Sequence, residues 1–297
     1  MRPRDSAELL LLAALWGASF LFMKLGASEF GAIALAGVRV ALAAAVLLPL
    51  AAAQGLLPQL RAHWPQVLLV GLFNSALPFV AFAWAVMVIT AGTSSVLNST
   101  APLWTALIAW WWLGDRLDRW RMLGIAIGFA GVSWLAWDKV GVKGGRDAIE
   151  VTGAVLACLG ATLCYGLSIN YTKQRLSAVA PVALAAGSQL SATLALAVPT
   201  ALAWPAQMPG TQAWAVLVAL GLLCTAFAYL LYFRLIAHVG PARAITVTYL
   251  IPLFGVSWGV LLLGEPLTPG MIAAGAVILL GTALATGMLR PRRAVPA

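Results

Sequence analysis

The sequence predicts an all-α integral membrane protein with ten transmembrane helices, arranged as two inverted five-helix repeats around a central cavity. Three observations lead to this prediction. Only 9% of the residues are charged and 62% are hydrophobic, with a mean hydropathy of +0.96, whereas a soluble domain carries about 25% charged residues. The apolar residues form runs close to the roughly 20 residues that a helix needs to cross the hydrocarbon. Part of the sequence also repeats at an offset of 150 residues.

The apolar runs are predicted to be helices because unpaired backbone groups cannot face lipid, and because the runs are too long for barrel strands. Residues 1–20 resemble a signal peptide, but the apolar run continues to Leu25, which favours an uncleaved first transmembrane helix. The predicted helices lie at residues 7–25, 31–53, 66–88, 92–113, 119–137, 150–171, 180–200, 213–235, 242–263 and 269–289.

The repeat divides the chain into two halves. Residues 101–104 return as residues 251–254, each with proline in second place, and the Leu-Gly-acid sequence of 113–115 returns at 263–265. The first helices of the two halves match at an offset of 149 residues. Because each half holds an odd number of helices, the second half must enter the membrane inverted relative to the first.

The positions of lysine and arginine predict the orientation in the membrane, because these residues are enriched in cytoplasmic loops. With a cytoplasmic N-terminus, the outer side receives four of them, Lys24, Lys139, Lys143 and Arg146. The cytoplasmic side receives thirteen, namely Arg2, Arg4, Arg61, Arg116, Arg119, Arg121, Lys173, Arg175, Arg234, Arg243, Arg290, Arg292 and Arg293. Both termini are therefore predicted to lie in the cytoplasm, and the protein is predicted to lie in the cell inner membrane.

The same interpretation predicts the domain boundaries. The first five-helix repeat covers residues 1–138, and an outer connecting loop covers residues 139–149. The second five-helix repeat covers residues 150–290, and a cytoplasmic tail covers residues 291–297.

The chain resembles the drug/metabolite transporter superfamily, in the type with two EamA domains, and the resemblance covers almost the whole length. Asp115 stands where that family usually has glutamate. The resemblance implies a ten-helix bundle with a central cavity, lined or gated by helices 1–4 and 6–9. Within the superfamily the chain is similar to bacterial exporters of amino acids, including the aromatic amino acid exporter type. The residues that carry the resemblance are Pro102, Pro252, the Leu-Gly-acid sequences ending at Asp115 and Glu265, Gly124, Gly131, Gly281, Trp16, Gly17 and Ser19.

Polar residues on the fourth predicted helix and its copy are candidates to line the cavity. Polar groups at membrane depth need partners or a function. Ser94, Asn98 and Pro102 fall roughly on one face, and Asn98 is equivalent to Thr248 by the offset of 150 residues. Helix–helix packing is the alternative, since small hydroxyl residues also serve there. The candidates from these two helices are Ser94, Asn98, Pro102, Thr248, Tyr249 and Pro252.

A second candidate surface is aromatic. The spacing of Trp16, Ser19 and Phe20 places them on one face of the first helix, and Tyr165 and Ser168 occupy the matching face of the sixth. Aromatic faces suit a flat or cationic substrate, whereas interfacial belts and core filling are the alternative role for such residues. Three residues of the third and eighth helices complete this surface, Asn74, Phe79 and Tyr229.

Charged residues near the membrane form the remaining candidates. Arg39 lies well inside the second predicted helix, where it could pair with helix carbonyls, meet a substrate carboxylate or extend to an interface. Asp115 and Glu265 follow glycine at two helix ends, which fits either a gate or ordinary helix-end turns. Lys24 and Lys173 lie near helix ends, where topology and lipid contact are the leading explanation and a gate is the alternative.

The sequence predicts a secondary transporter without a cofactor. It has no Walker A loop, no acidic residue in the middle of a predicted helix and no metal-ligand spacing among its three cysteines. Facilitated diffusion or exchange by alternating access is the simplest mechanism. The predicted partners are a small-molecule substrate and membrane lipids, with no nucleic acid, because the basic residues lie at helix ends. The GxxxG pattern of Gly124 and Gly128 predicts close helix packing or a dimer contact, so the protein is a monomer or homodimer.

The predicted function is the export of amino acids, in particular aromatic ones, or of related amphipathic compounds. Uptake of a nucleotide-linked or sugar-linked metabolite is the alternative. A membrane-embedded lipid enzyme is a third hypothesis, which is disfavoured because the sequence shows no nucleophile, metal cluster or paired carboxylates near an interface.

Overall fold

A computed structural model describes residues 2–141 and 146–289 of the protein. Within these ranges the chain forms α-helices and two π-helical segments, with no strand. The predicted tail at 291–297, the three arginines at 290–293 and Lys143 of the predicted outer loop lie outside the described residues.

The helices are numbered here in chain order, with the two π-helical segments at Leu72–Ala76 and Leu222–Phe227. They are α1 (Pro3–Ala53), α2 (Leu57–Ala62), α3 (Trp64–Gly71), α4 (Leu77–Val88), α5 (Ala91–Asn98), α6 (Ala101–Leu113), α7 (Arg119–Gly141), α8 (Arg146–Arg175), α9 (Pro181–Leu202), α10 (Thr211–Gly221), α11 (Ala228–Val239), α12 (Pro241–Ala244), α13 (Val247–Leu263) and α14 (Pro269–Ala285).

Six described helical stretches are long and apolar enough to cross a membrane, and α13 and α14 are shorter apolar helices. The protein is therefore an all-α, multi-pass membrane protein, as predicted. α1 counts once among the six although its 51 residues would extend about 75 Å, more than twice the hydrocarbon thickness. Gly31 interrupts it with φ 71° and ψ 165°, a conformation open to glycine, so the break falls where the first two predicted helices meet. The total of ten crossings stays a prediction.

The fourth and ninth predicted helices are each interrupted, which the sequence prediction did not anticipate. α5 ends at Asn98 and α6 begins at Ala101, so Pro102 lies in the first turn of a new helix. There its missing N–H costs nothing, because the first N–H groups of a helix have no partner within it. In the second half the break falls between α12 and α13, and Pro252 lies inside α13. The predicted helices at 92–113 and 242–263 therefore each contain a break, with the proline at a helix start in the first half and inside a helix in the second.

Helix ends also differ from the prediction. α7 continues to Gly141 and α8 begins at Arg146, so helical residues enter the range predicted as an outer loop. α14 ends at Ala285 rather than at residue 289, and Gly287 beyond it has a positive φ of 78°.

Glycine residues allow α7 and α14 to touch through their backbones. A Cβ at Gly281 would lie closer than 3.0 Å to the backbone of Gly128, and a Cβ at Gly124 would meet the backbone of Gly281 and Ala285. The GxxxG pattern of α7 therefore serves close helix packing within the chain.

Two further glycines fix how α1 and α8 contact the opposite half of the chain. Gly17 of α1 lies against Phe254 and Gly255 of α13, at distances that leave no room for a Cβ. Gly166 of α8 packs in the same way against residues 104–105 of α6. The two contacts correspond by the offsets found in the sequence, and they bring α1 and α8 alongside the interrupted helices.

Candidate functional site

Arg39, in the second part of α1, has a buried guanidinium group with 5% exposure. Its Nε donates to Thr225 Oγ1 at 2.9 Å, and its Cζ lies 3.7 Å from the centroid of the Phe79 ring. A weaker contact joins Nη1 to Met23 Sδ at 3.6 Å. Among the described residues no carboxylate forms an ion pair with Arg39. Because an unpaired charge at membrane depth is costly, Arg39 stays a candidate for binding an anionic group.

Gln189 of α9 occupies the position equivalent to Arg39, and it makes the equivalent contact. It is fully buried, and its Nε2 donates to Ser75 Oγ at 2.8 Å. The acceptor hydroxyls correspond as well, since Ser75 and Thr225 are 150 residues apart and each lies in a π-helical segment. π-helical turns inside α-helices are frequently found at functional sites. The Oε1 atom of Gln189 is buried without a hydrogen-bond partner among the described residues.

Tyr229 connects these two contacts. Its hydroxyl accepts from Asn74 Nδ2 at 3.0 Å, and Asn74 is the sequence neighbour of Ser75. Tyr229 also lies one turn after Thr225, the hydrogen-bond partner of Arg39. Tyr229 is equivalent to Phe79 by the offset of 150 residues, so each π-helical segment is followed by an aromatic residue at the site. We call Arg39, Asn74, Ser75, Gln189, Thr225 and Tyr229 the polar cluster.

Aromatic side chains surround the polar cluster. Phe20 meets Phe82 edge-on at 5.4 Å between centroids, and Phe82 stacks on Tyr165 at 6.2 Å. Tyr165 also lies within electrostatic range of Arg39. The structure thus gathers several of the predicted aromatic residues near Arg39, with Phe82 as an addition. Trp16 packs against the buried cluster that contains Phe20 and Phe82, and its ring also lies 5.2 Å from that of Tyr232, so its place in the cavity stays a prediction.

The predicted hydroxyl residues are buried, but within the part of the chain that the structure describes no hydrogen bond joins one of them to another. Ser19 and Ser94 have hydroxyl oxygens without a hydrogen-bond partner among the described residues, and Ser168 is 3% exposed. Asn98 is half-buried at the end of α5, next to the break that precedes Pro102. These residues stay predictions as cavity-lining groups.

Two predicted residues of α13 face other elements. Thr248 Oγ1 donates to the carbonyl oxygen of Ile245 at 2.8 Å, which satisfies the backbone at the helix start. The Tyr249 hydroxyl lies 2.6 Å from Thr286 Oγ1, in the turn that follows α14. Pro252 is buried inside α13, one turn from the contact with Gly17.

Gln189, Ser75 and Thr225 were not identified from the sequence. The signal for Gln189 was present, since applying the offset of 150 residues to Arg39 leads directly to it. Ser75 and Thr225 gave no separate signal, because single hydroxyl residues in membrane helices usually serve packing.

Glu265 closes a contact between the two halves. Its Oε1 accepts from the Ala91 backbone N–H at 2.7 Å, and its Oε2 accepts from the Gly92 N–H at 3.0 Å. A carboxylate is favoured at a helix N-terminus because the first N–H groups lack partners there. Gly259 makes room for it, since a Cβ at that position would collide with the carboxylate. Lys24 Nζ donates to Ile89 O of the same turn at 3.3 Å.

Asp115, the counterpart of Glu265, makes a different contact. Its Oδ2 lies 3.3 Å from Lys173 Nζ, with the two side chains 44% and 62% exposed. The sequence around Asp115 does not allow the helix-end contact that Glu265 makes. Pro241, which has no N–H, stands where Ala91 stands in the first half, and Ala109 replaces Gly259. Only the Glu265 side has the complete helix-end contact, which we call the latch (Glu265, Ala91, Gly92 and Gly259).

Replacement of Asp115 by asparagine is expected to have little effect. Exposed ion pairs contribute about 0–1 kcal/mol, so the variant should keep transport within about twofold of the wild type and lose less than about 1 kcal/mol of stability. Exchange assays and thermal unfolding in detergent measure both quantities. Lys173→Gln serves as the matched control, and a tenfold loss in either variant would show that the pair acts as an essential gate.

The polar cluster is closed in this structure. Arg39, Ser75, Gln189 and Thr225 are all 5% exposed or less. A cavity of about 250 Å³ lies instead at the start of α1, and the predicted central cavity stays a prediction. In the described part of the chain no three His, Cys, Asp or Glu residues are grouped so that they could hold a metal ion. The cavity at the start of α1 is lined by Arg2, Arg4, Asp5, Arg234 and His238.

Comparison with family models adds to this geometry. The model of the EamA-like transporter family matches twice, over residues 7–137 and 152–287. The two matches fall in the two halves that the repeat defines. A solved crystal structure superimposes with a TM-score of 0.67 at 20% identity, covering 97% of this chain and 98% of the other.

Curated relatives extend over nearly the whole chain. An uncharacterized transporter of Bacillus subtilis, YvbV, is 24% identical and covers 98% of this chain and 95% of its own length. A protein of Streptantibioticus cattleyicolor, named a probable terminal-alkyne amino-acid exporter, is 25% identical over 93% of this chain and 91% of its own. A probable amino-acid metabolite efflux pump of Salmonella typhimurium is also 25% identical, over 94% of this chain and 93% of its own.

Proposed function

Because the chain belongs to the EamA-like transporter family, we propose that it is a secondary transporter that exports amino acids, including aromatic ones, across the inner membrane by alternating access. The family and the names of the relatives point to a transporter rather than to an enzyme. The membrane-embedded lipid enzyme therefore stays the disfavoured alternative.

The observation that carries the proposal is the buried guanidinium of Arg39. Among the described residues it is the only charged side chain that is buried. A planar guanidinium binds a carboxylate through two parallel hydrogen bonds, and this geometry makes arginine suited to recognising a single carboxylate. The neighbouring rings of Phe20, Phe82 and Tyr165 offer apolar and stacking surface for the rest of an amphipathic substrate.

The alternative substrates fit less well. A nucleotide-linked or sugar-linked metabolite carries phosphate groups with several negative charges. Such a ligand would need several buried cations, whereas the described residues offer only Arg39. Two of the relatives are named for amino-acid or amino-acid-metabolite efflux, and this agrees with the substrate that the site favours.

The proposal includes the inverted repeat and the cytoplasmic termini. The contacts of Arg39 and Gln189 correspond at an offset of 150 residues, as do the two π-helical segments. Gly114 and Gly264 end their helices in the same left-handed conformation, with φ of 71° and 64°. Recurrence of local structure at this spacing supports a duplicated unit, and an odd number of helices in each unit would invert the second.

Counterflow in proteoliposomes tests the proposed function. Vesicles that contain the purified protein are loaded with one unlabelled amino acid and diluted into the labelled form. A panel of aromatic, aliphatic, acidic and basic amino acids, a sugar phosphate and a nucleotide sugar is compared with protein-free vesicles. We expect exchange of neutral amino acids that resists uncouplers. Exchange of the phosphorylated compounds alone, or exchange of nothing in the panel, would contradict the proposal.

A further inference from the structure

The unpaired oxygen of Gln189 is a feature that Arg39 does not explain. Gln189 is fully buried, its Nε2 is held by Ser75, and its Oε1 has no hydrogen-bond partner among the described residues. A buried acceptor without a partner costs about 1–3 kcal/mol. The hydrogen bond from Nε2 to Ser75 fixes the amide group of Gln189. Its Oε1 atom is therefore preorganised to accept a hydrogen bond from a ligand.

The two equivalent positions offer opposite chemistry. The guanidinium of Arg39 has donors only, whereas the free atom of Gln189 is an acceptor. Both residues contact one face of the same helical stretch, since Gln189 donates to Ser75 and the guanidinium of Arg39 lies over Phe79 one turn later. The two ends of the site therefore differ in chemistry. Arg39 is a cationic donor at one end, and Gln189 Oε1 is a neutral acceptor at the other.

We propose that Gln189 is a specificity-determining residue that accepts a hydrogen bond from the ammonium group of the substrate while Arg39 binds its carboxylate. The substrate class is then the zwitterion that carries one carboxylate and one ammonium group. A dicarboxylate would place its second anionic group against the Gln189 oxygen, which repels it. This inference rests on the proposed function, because it names the substrate class of the same site.

Competition during counterflow tests the inference. Labelled phenylalanine, or whichever neutral amino acid exchanges best, is competed with three unlabelled compounds. These are the amino acid itself, its analogue with hydrogen in place of the ammonium group, and the amine that lacks the carboxylate. The wild-type protein should bind the amino acid at least about tenfold better than either analogue, because each analogue leaves one buried polar group unpaired.

The Gln189→Met variant removes the acceptor and keeps a similar shape. We expect the tenfold preference for the amino acid over its deaminated analogue to fall to about twofold, while the preference over the amine remains. Thr193→Val, one turn away on α9, is the matched control, because the Thr193 hydroxyl bonds only to the backbone oxygen of Gln189. This control should keep both preferences.

Gln189→Arg provides a second variant in case the first fails to fold. A second guanidinium should allow aspartate or another dicarboxylate to compete at least about tenfold better than it does against the wild type. Equal loss of affinity for all three compounds in Gln189→Met, or no gain for dicarboxylates in Gln189→Arg, would overturn the inference and leave amino-acid transport intact. Absence of amino-acid exchange by the wild-type protein would overturn the proposed function instead.

Discussion

Replacement of Arg39 by glutamine is expected to reduce amino-acid exchange at least about 30-fold. A buried charge-assisted pair is worth about 2–5 kcal/mol when one partner is removed, and Arg39 is the buried cation of the polar cluster. Lysine should restore only a small part of the rate, because an ammonium group lacks the planar fork that binds a carboxylate through two hydrogen bonds. Initial rates of counterflow measure the effect for each variant.

The control for Arg39 is a second arginine outside the polar cluster. Arg234 forms an ion pair with Glu8 at 3.3 Å and is 40% exposed, so Arg234→Gln should keep exchange close to the wild-type rate. Size-exclusion profiles in detergent show whether the Arg39 variants remain folded. Folded Arg39→Gln protein that exchanges amino acids at more than a tenth of the wild-type rate would show that Arg39 does not bind the substrate.

Removal of the Glu265 carboxylate should open the side of the protein that holds the latch. Glu265→Ala leaves the Ala91 and Gly92 N–H groups without their partner, at a cost of about 1–3 kcal/mol for each buried group. We expect the population that is open on this side to rise at least about tenfold. A cysteine in place of the buried Ser94, in a background without the native cysteines, should then react faster with a membrane-impermeant maleimide.

The matched control is Asp115→Ala, which removes the corresponding carboxylate at the opposite helix end. When the maleimide is added on the side that holds the latch, the labelling rate at position 94 should stay unchanged. The reason is that Asp115 pairs with an exposed lysine and not with a helix N-terminus. Gly259→Ala offers an independent route, since its Cβ would displace the Glu265 carboxylate. If neither Glu265→Ala nor Gly259→Ala changes the labelling, the contact is a simple helix cap.

The membrane fold was predictable because its cause is compositional. The long apolar runs leave the backbone no alternative to helices in lipid, so every predicted segment is mostly helical. The breaks were less predictable. The sequence shows Pro102 and Pro252 in matching positions, yet only Pro102 of these two lies in the first turn of a helix. Whether a proline starts a helix or lies within one depends on the packing of neighbouring helices, and one amino-acid sequence does not show that packing.

The candidate site was predictable where a residue is exceptional for its surroundings. A lone arginine inside an apolar run identified Arg39, and the neighbouring aromatic residues Phe79 and Tyr229 followed from their position. The polar candidates of the fourth helix, Ser94 and Asn98, stay predictions, and two neighbouring hydroxyl residues have a structural role. Ser99 and Thr100 donate to the carbonyl oxygens of Val96 and Leu97, so they satisfy the helix break. Thr225 and Ser75 needed the structure, because only spatial proximity separates a binding hydroxyl from a packing one.

The unequal helix ends have a kinetic consequence. A passive carrier cannot accumulate its substrate, but the latch is expected to favour one facing form of the empty protein, because Pro241 and Ala109 remove from the equivalent helix ends the N–H group and the space that the latch uses. In the proposed orientation we expect that form to be open to the cytoplasm. Half-saturation should then occur at a lower concentration from inside than from outside, with the maximal rates in the two directions differing by the same factor. Such a carrier exports its substrate already at a low internal concentration. It takes the substrate up at its maximal rate only when the outside concentration is high.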